Sequence, residues 1–178
     1  MNDIPYPNES NSEPEPRYAS DSSIARQIAL QTLYEFDIAG HDPLQVLARH
    51  LRLQEPPPRA AKMARTLVVG VHAHRTQLDH AVEQRASEFP VDLLAVIDRN
   101  ILRIALFEFA VWTVTPVAVA IDEAVELAKD FGADGTPSFI NGVLRSIAID
   151  DELLEALHQP VELTDEDGED SEDSDEDA

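Results

Sequence analysis

The chain has 178 residues, enough for one domain with a hydrophobic core, and its formal net charge is -22. It contains no cysteine, which excludes disulfide bonds, thiol nucleophiles and cysteine-ligated metals. The first residues have neither the basic nor the apolar region of a secretory signal. Together these features predict a soluble cytoplasmic protein.

Acidic residues are concentrated at the two ends of the chain. Residues 162–177 contain 11 acidic residues and no basic one, and residues 1–21 carry a net charge of -4. Segments this poor in apolar side chains do not bury enough surface to offset their chain entropy. We therefore predict a disordered arm over 1–21, a folded domain over 22–158 and a disordered acidic tail over 159–178. The folded part keeps a charge of -7, which disfavours strong non-specific nucleic-acid binding.

Between these ends, the apolar residues recur with helical spacing. We predict helices over residues 22–39, 43–53, 58–88, 91–112, 116–131 and 137–157, with a break in the fourth near 96–98. Prolines at 43, 58 and 90 mark helix boundaries. Because no segment alternates with period two for long enough to form a sheet, the sequence predicts an all-α fold.

The first predicted helix has two faces of different character. Its inward stripe consists of Ala25, Ala29, Thr32, Leu33 and Phe36. Arg26, Leu30 and Tyr34 lie on a neighbouring face. From residue type alone, Arg26 is interpreted as a solvated charge and Tyr34 as a half-buried aromatic with its hydroxyl in water.

The apolar run Ile101–Ile121 approaches the length of a membrane span. Arg103, Glu108 and Pro116 interrupt it, so we predict a buried helix followed by a turn, and no membrane insertion. We expect Arg103 to form a buried or half-buried ion pair with an acid such as Glu123 or Glu126.

The next two helices have clear signals at their ends. In Val117–Phe131 one apolar stripe runs the whole length of the segment. Thr115 is predicted to cap its start, and Gly132 to provide a left-handed residue at its end. A second helix is predicted to begin at Thr136, again before a proline.

The sequence offers little for catalysis or metal binding. Its glycines are scattered, so no phosphate-binding loop is present. His72 and His74 are two residues apart and project about 200° from each other on a helix, and His80 lies two turns beyond. We therefore predict no metal, no cofactor and no enzymatic activity.

Three separated motifs resemble the NusB family of transcription antitermination factors. ILRIALFE, TPVAVAIDEAVELAKDFG and SFINGVLRSIA are similar to the C-terminal half of that family, and ARQIALQTLY is similar to its first helix. The resemblance covers about Ser22 to Ala148. The helices predicted above number about six to seven. The resemblance implies that they form two packed helical subdomains, and that the protein binds RNA together with the ribosomal protein NusE.

The resemblance also suggests RNA-binding residues. In NusB proteins an arginine-rich motif at the start of the first helix grips RNA phosphates, and only Arg26 of that motif is kept here. Phe139 is assigned to stacking on an unpaired base, with Asn141 and Arg145 on the same surface. From residue type alone, packing is an equal role for Phe139, and Asn141 more often makes a capping or helix–helix hydrogen bond. Gly142 suggests close approach of another helix or of a ligand backbone.

Two further positions match those that meet NusE in the family. These are Tyr34 and Asp98, which would suit the polar rim of a protein interface. Trp112, with Phe109 and Val111, is either core filling or an apolar contact surface.

The resemblance therefore predicts transcription antitermination. With NusE, the protein would hold a boxA-type single-stranded RNA element of ribosomal RNA transcripts and load on the RNA polymerase elongation complex. We expect no DNA as a partner. The alternatives are a protein-interaction scaffold with weak or lost RNA binding, and an RNA-binding domain related to ribosomal RNA methyltransferases. The acidic tail is interpreted as a solubility device or as an autoinhibitor that mimics nucleic acid.

Overall fold

The computed structural model describes residues 20–86 and 90–158, and within these residues all regular structure is helical. The predicted acidic tail, and the predicted arm up to residue 19, lie outside the described residues. The helices are α1 (Asp21–Ala39), α2 (Pro43–Gln54), α3 (Pro58–Ala73), α4 (Arg75–Arg85), α5 (Val96–Leu106), α6 (Val117–Phe131), α7 (Thr136–Ala148) and α8 (Asp151–His158). The predicted all-α class is confirmed.

Short polar side chains fix where two of these helices begin. Ser20 Oγ accepts a hydrogen bond of 3.1 Å from Ser23 N at the start of α1. The helix therefore starts at Asp21, inside the predicted arm. Asp42 Oδ1 accepts one of 2.8 Å from Gln45 N at the start of α2.

Three of the predicted helices are interrupted. The segment 58–88 divides into α3 and α4 at His74, whose ring Nδ1 lies 2.9 Å from Gly70 O. The segment 91–112 consists of a 3₁₀ turn at Val91–Leu93, then α5, and then a π-helical segment at Phe107–Val111. The segment 137–157 divides into α7 and α8. The break predicted near 96–98 lies just before Val96, where α5 begins. Sequence periodicity does not reveal the other breaks, because the apolar face continues across them.

Two predicted helix-end signals are wrong. Pro116 occupies the cap position of α6, while Thr115 Oγ1 donates a hydrogen bond of 2.8 Å to Glu108 Oε1. Gly132 is extended, with φ -92° and ψ 178°, and not left-handed.

The helices pack as two groups around one continuous apolar core. Helices α1, α2 and α3 pack on one another, and α4 to α8 form the second group. Helix α1 also packs on α5 and thereby joins the two groups. The predicted fold of two packed helical subdomains is confirmed. The apolar run Ile101–Ile121, which we predicted not to insert into a membrane, forms most of α5, the π-helical segment and the start of α6. In the described residues no helix is long and apolar enough to cross a membrane.

The glycine that allows close packing is Gly70 and not Gly142. A Cβ placed on Gly70 would lie 1.9 Å from Cζ of Phe107, so the ring packs directly on the α3 backbone. A Cβ placed on Gly142 would meet no atom of the described residues within 4 Å. The expectation that another helix approaches Gly142 is therefore wrong.

Candidate nucleic-acid and protein interfaces

Arg26 lies inside the protein, where α1 meets the π-helical segment. Its Nε and Nη2 each donate a hydrogen bond of 2.7 Å to the carboxylate of Glu108, and its Nη1 donates one of 2.9 Å to Glu123. Arg26 is 3% exposed and Glu108 is 1% exposed. Burial alone would lower the pKa of Arg26, but the hydrogen bonds and charge of Glu108, with the charge of Glu123, raise it above its ordinary value.

This geometry contradicts the expected phosphate contact of Arg26, and also the view that it is a solvated charge. Its donors already bind carboxylates in the interior, and releasing them would leave Glu108 as an uncompensated buried charge. A signal for this pair was present in the sequence. Glu108 interrupts a long apolar run, and a buried carboxylate requires a cation.

A second buried network surrounds Arg103. Arg103 donates to both carboxylate oxygens of Asp79, at 2.6 and 2.7 Å, and to Asp37 at 2.8 Å. Burial is the largest single effect and raises the pKa of Asp37, but the charges of Arg103 and Arg75 and the hydrogen bonds from Arg99 and Asn100 together lower it below its ordinary value. The predicted buried ion pair exists, but the partners Glu123 and Glu126 were wrong. The network links α1, α4 and α5.

The residues of α7 predicted to bind RNA share one stretch of the surface. Arg145 is exposed, and its Nε donates a hydrogen bond of 2.9 Å to Asn141 Oδ1. Phe139 is half-buried and packs against the core with part of its ring. Gly142 leaves the backbone uncovered between them. An aromatic ring, an amide, a cation and bare backbone are the groups that unpaired nucleotides bind.

An apolar groove of about 420 Å³ lies where α1, α5 and α6 meet. Tyr34 lines it and is 41% exposed, and the groove also includes Ile38, Ile97 and Phe131. Ile38 is 61% exposed and Phe131 is 37% exposed. Large apolar side chains left this open mark a surface suited to a protein partner.

Asp98 follows the groove residue Ile97 on α5 and is half-buried. Its two carboxylate oxygens accept from Thr136 Oγ1 at 3.1 and 3.3 Å. Burial raises the pKa of Asp98, and the hydrogen bond from Thr136 offsets part of this effect. The contact ties α5 to the first residue of α7. Sequence reasoning missed this role of Thr136, for which the spacing along the chain gives no signal.

Comparison with known proteins identifies the family. The model of the NusB family matches residues 23–149 of this chain. The chain belongs to the NusB family. The transcription antitermination protein NusB of Roseiflexus sp. (strain RS-1) is 44% identical over 124 residues, which cover 68% of this chain and 87% of that protein.

Solved NusB structures share the fold. The NusB structure of T. maritima superposes with a TM-score of 0.69 at 27% identity, covering 78% of this chain and 99% of that one. A structure of the antitermination factors NusB and NusE in complex with dsRNA gives a TM-score of 0.66 at 24% identity, covering 71% and 95%. At that identity the second likeness shows the fold alone.

The residues assigned through the NusB resemblance therefore fall in three places. Arg26 is in the interior, Tyr34 and Asp98 are at the groove, and Phe139 lies with its neighbours on α7. Asp98 connects the last two places, because its hydrogen-bond partner Thr136 begins α7.

The remaining aromatic and histidine candidates pack against other side chains. Phe109 is 6% exposed, while Trp112 is half-buried and stacks on Phe107 with the ring centroids 6.3 Å apart. This favours core filling over a contact surface at Trp112. His72 packs edge-on against Phe36. In residues 20–86 and 90–158 no group of three His, Asp or Glu side chains could hold a metal ion.

Proposed function

We propose that this protein acts in transcription antitermination by binding a boxA-type single-stranded RNA together with the ribosomal protein NusE. The observation that carries this proposal is the α7 surface, where Phe139, Asn141 and Arg145 surround an uncovered backbone at Gly142. Membership of the NusB family supports it.

The mechanism is recognition without bond chemistry. The ring of Phe139 stacks on an unpaired base, and Asn141 and Arg145 bind base edges or phosphates beside it. NusE occupies the apolar groove at Tyr34, with Asp98 at its rim. Because Asp98 bonds to the first residue of α7, NusE bound in the groove lies next to the RNA surface and orders it.

The RNA-bound complex then associates with the RNA polymerase elongation complex and suppresses premature termination in ribosomal RNA operons. Transcription in vitro through a terminator placed downstream of the RNA element tests this directly. Read-through should rise when this protein and NusE are both added, and not with either alone. If read-through is the same on a template whose RNA element is scrambled, the proposal is wrong.

The burial of Arg26 favours a second candidate, a protein-interaction scaffold that binds NusE without RNA. In that case NusE would still bind the groove, and Tyr34→Ala would weaken it. However, the complex would bind boxA-type RNA no better than an unrelated RNA of equal length. Comparing these two RNAs in the same titration separates the two candidates.

A further inference from the structure

Within residues 20–86 and 90–158, unpaired positive charge is concentrated on α2 and α3. These two helices contain five basic residues and no acidic one, although the folded part as a whole is acidic. Arg49 pairs with Glu35 on α1. The other four, which are Arg52, Arg59, Lys62 and Arg65, are exposed and have no carboxylate partner within the described residues.

Three of these cations form one surface, which we call the α3 basic face and define as Arg59, Lys62 and Arg65. They follow one another at intervals of three residues, so they lie on the same side of α3 over about 9 Å of helix. Most other cations of the described residues are neutralised. Arg26, Arg75, Arg85, Arg99, Arg103 and Lys129 all pair with carboxylates.

The charge of this face is not needed for packing. Buried Ala60, Ala64 and Leu67 hold the opposite side of α3 in the core. Three like charges spaced by single helical turns repel one another and lower the stability of the free protein slightly. A bound polyanion removes that cost.

We propose that the α3 basic face binds the phosphate backbone of the RNA and supplies the electrostatic contribution that the interior Arg26 does not supply. This inference rests on the proposed function. It places the phosphate contacts on the N-terminal group of helices and the base contacts on α7. No exposed aromatic ring belongs to the face, so it contacts phosphates without reading sequence.

We assign the face to RNA and not to the acidic tail, although both are polyanions. Cations that neutralise phosphates release condensed counterions, and this release drives binding in proportion to the number of contacts. The acidic tail is the other polyanion of the chain, with 11 acidic residues in residues 162–177. The tail is therefore the competing occupant that the experiment must distinguish.

The test compares two triple variants of the full-length chain with saturating NusE. R59Q/K62Q/R65Q removes the face, and R49Q/R85Q/K129Q removes three other surface cations that already pair with carboxylates. The two triple variants make the net charge of the protein more negative by the same amount. Titration of a boxA-type RNA over a range of salt concentrations gives the slope of log affinity against log salt. The face variant should lose about 2 units of slope and bind about tenfold more weakly at low salt, while the control keeps its slope.

Each single substitution in the face should lose about 0.7 units of slope, which preserves the test if the triple variant folds poorly. The face variant is also measured without residues 164–178. If the face variant loses RNA affinity only when residues 164–178 are present, the tail occupies the face and the proposal is overturned. If the wild-type complex binds RNA and the face variant keeps its salt slope, the proposal about the α3 basic face is overturned and the proposed function is not. If the wild-type complex binds no RNA, the proposed function fails with it.

Discussion

Arg26 and Glu108 lie 82 residues apart in the chain and are joined by two hydrogen bonds of 2.7 Å in the interior. The pair connects α1 to the π-helical segment after α5. Thr115 Oγ1 donates a third hydrogen bond to the same carboxylate. Arg26, the one arginine of the arginine-rich motif that this chain keeps, therefore stabilises the fold. This finding moves the search for phosphate contacts to other cations.

Arg26→Ala should destabilise the protein by about 3–5 kcal/mol, because it leaves Glu108 buried without its cation. Arg52→Ala is the control, since Arg52 is exposed and should change the free energy of unfolding by no more than about 0.5 kcal/mol. Urea unfolding measures both. A stable Arg26→Ala protein with a selective RNA defect would restore Arg26 as a phosphate contact.

Phe139→Ala should weaken RNA binding of the NusE complex by about 1–3 kcal/mol, the scale of a lost base–aromatic stack. Phe139→Leu separates stacking from packing, because leucine keeps most of the buried contact and removes the aromatic face. We expect the same RNA defect in the leucine variant with a nearly unchanged melting temperature. If only the alanine variant binds RNA weakly and it also melts early, Phe139 is a core residue.

Gly142→Ala should stabilise the protein by about 1 kcal/mol, since alanine favours the helix and the new Cβ meets no neighbour. The same methyl group should weaken RNA binding if RNA approaches the bare backbone. Gly70→Ala is the contrasting control, because its Cβ would clash with the Phe107 ring and destabilise the fold. An RNA affinity unaffected by Gly142→Ala would remove the backbone from the proposed surface.

Asp98→Asn should leave the fold intact at neutral pH, because the new side-chain oxygen can still accept from Thr136. The pKa of Asp98 is raised, so the native state binds its proton more readily than the unfolded chain does. The stability contributed by this group therefore falls as pH rises from the ordinary value through the folded pKa. Unfolding measured across this window should lose that pH dependence in the variant.

The same substitution tests the partner assignment. NusE binding, measured by calorimetry, should weaken by about 1–3 kcal/mol if the carboxylate is a contact. Asp122→Asn, on the exposed side of α6, should leave it unchanged. Equal affinity of both variants for NusE would make Asp98 purely structural.

Local patterns predicted the helices well, and long-range contacts explain the errors. The apolar stripe of Val117–Phe131 and the prolines that begin α2 and α3 act within one helix, so their signals are complete in the sequence. The partner of Arg103 depends on how α1, α4 and α5 meet, and no local pattern encodes it. The α7 residues, which are half-buried or exposed, and the buried Arg26 were assigned from the same family resemblance. Only their burial in the structure distinguishes the surface residues of α7 from Arg26 in the interior.

The central claim is that RNA binding depends on NusE, and one titration tests it most directly. A labelled boxA-type single-stranded RNA is titrated with this protein alone, with NusE alone and with the equimolar mixture. We expect weak binding by this protein alone, because Arg26 is engaged in the interior, and markedly tighter binding by the mixture than by either component. Binding by this protein alone that equals binding by the mixture would contradict the account.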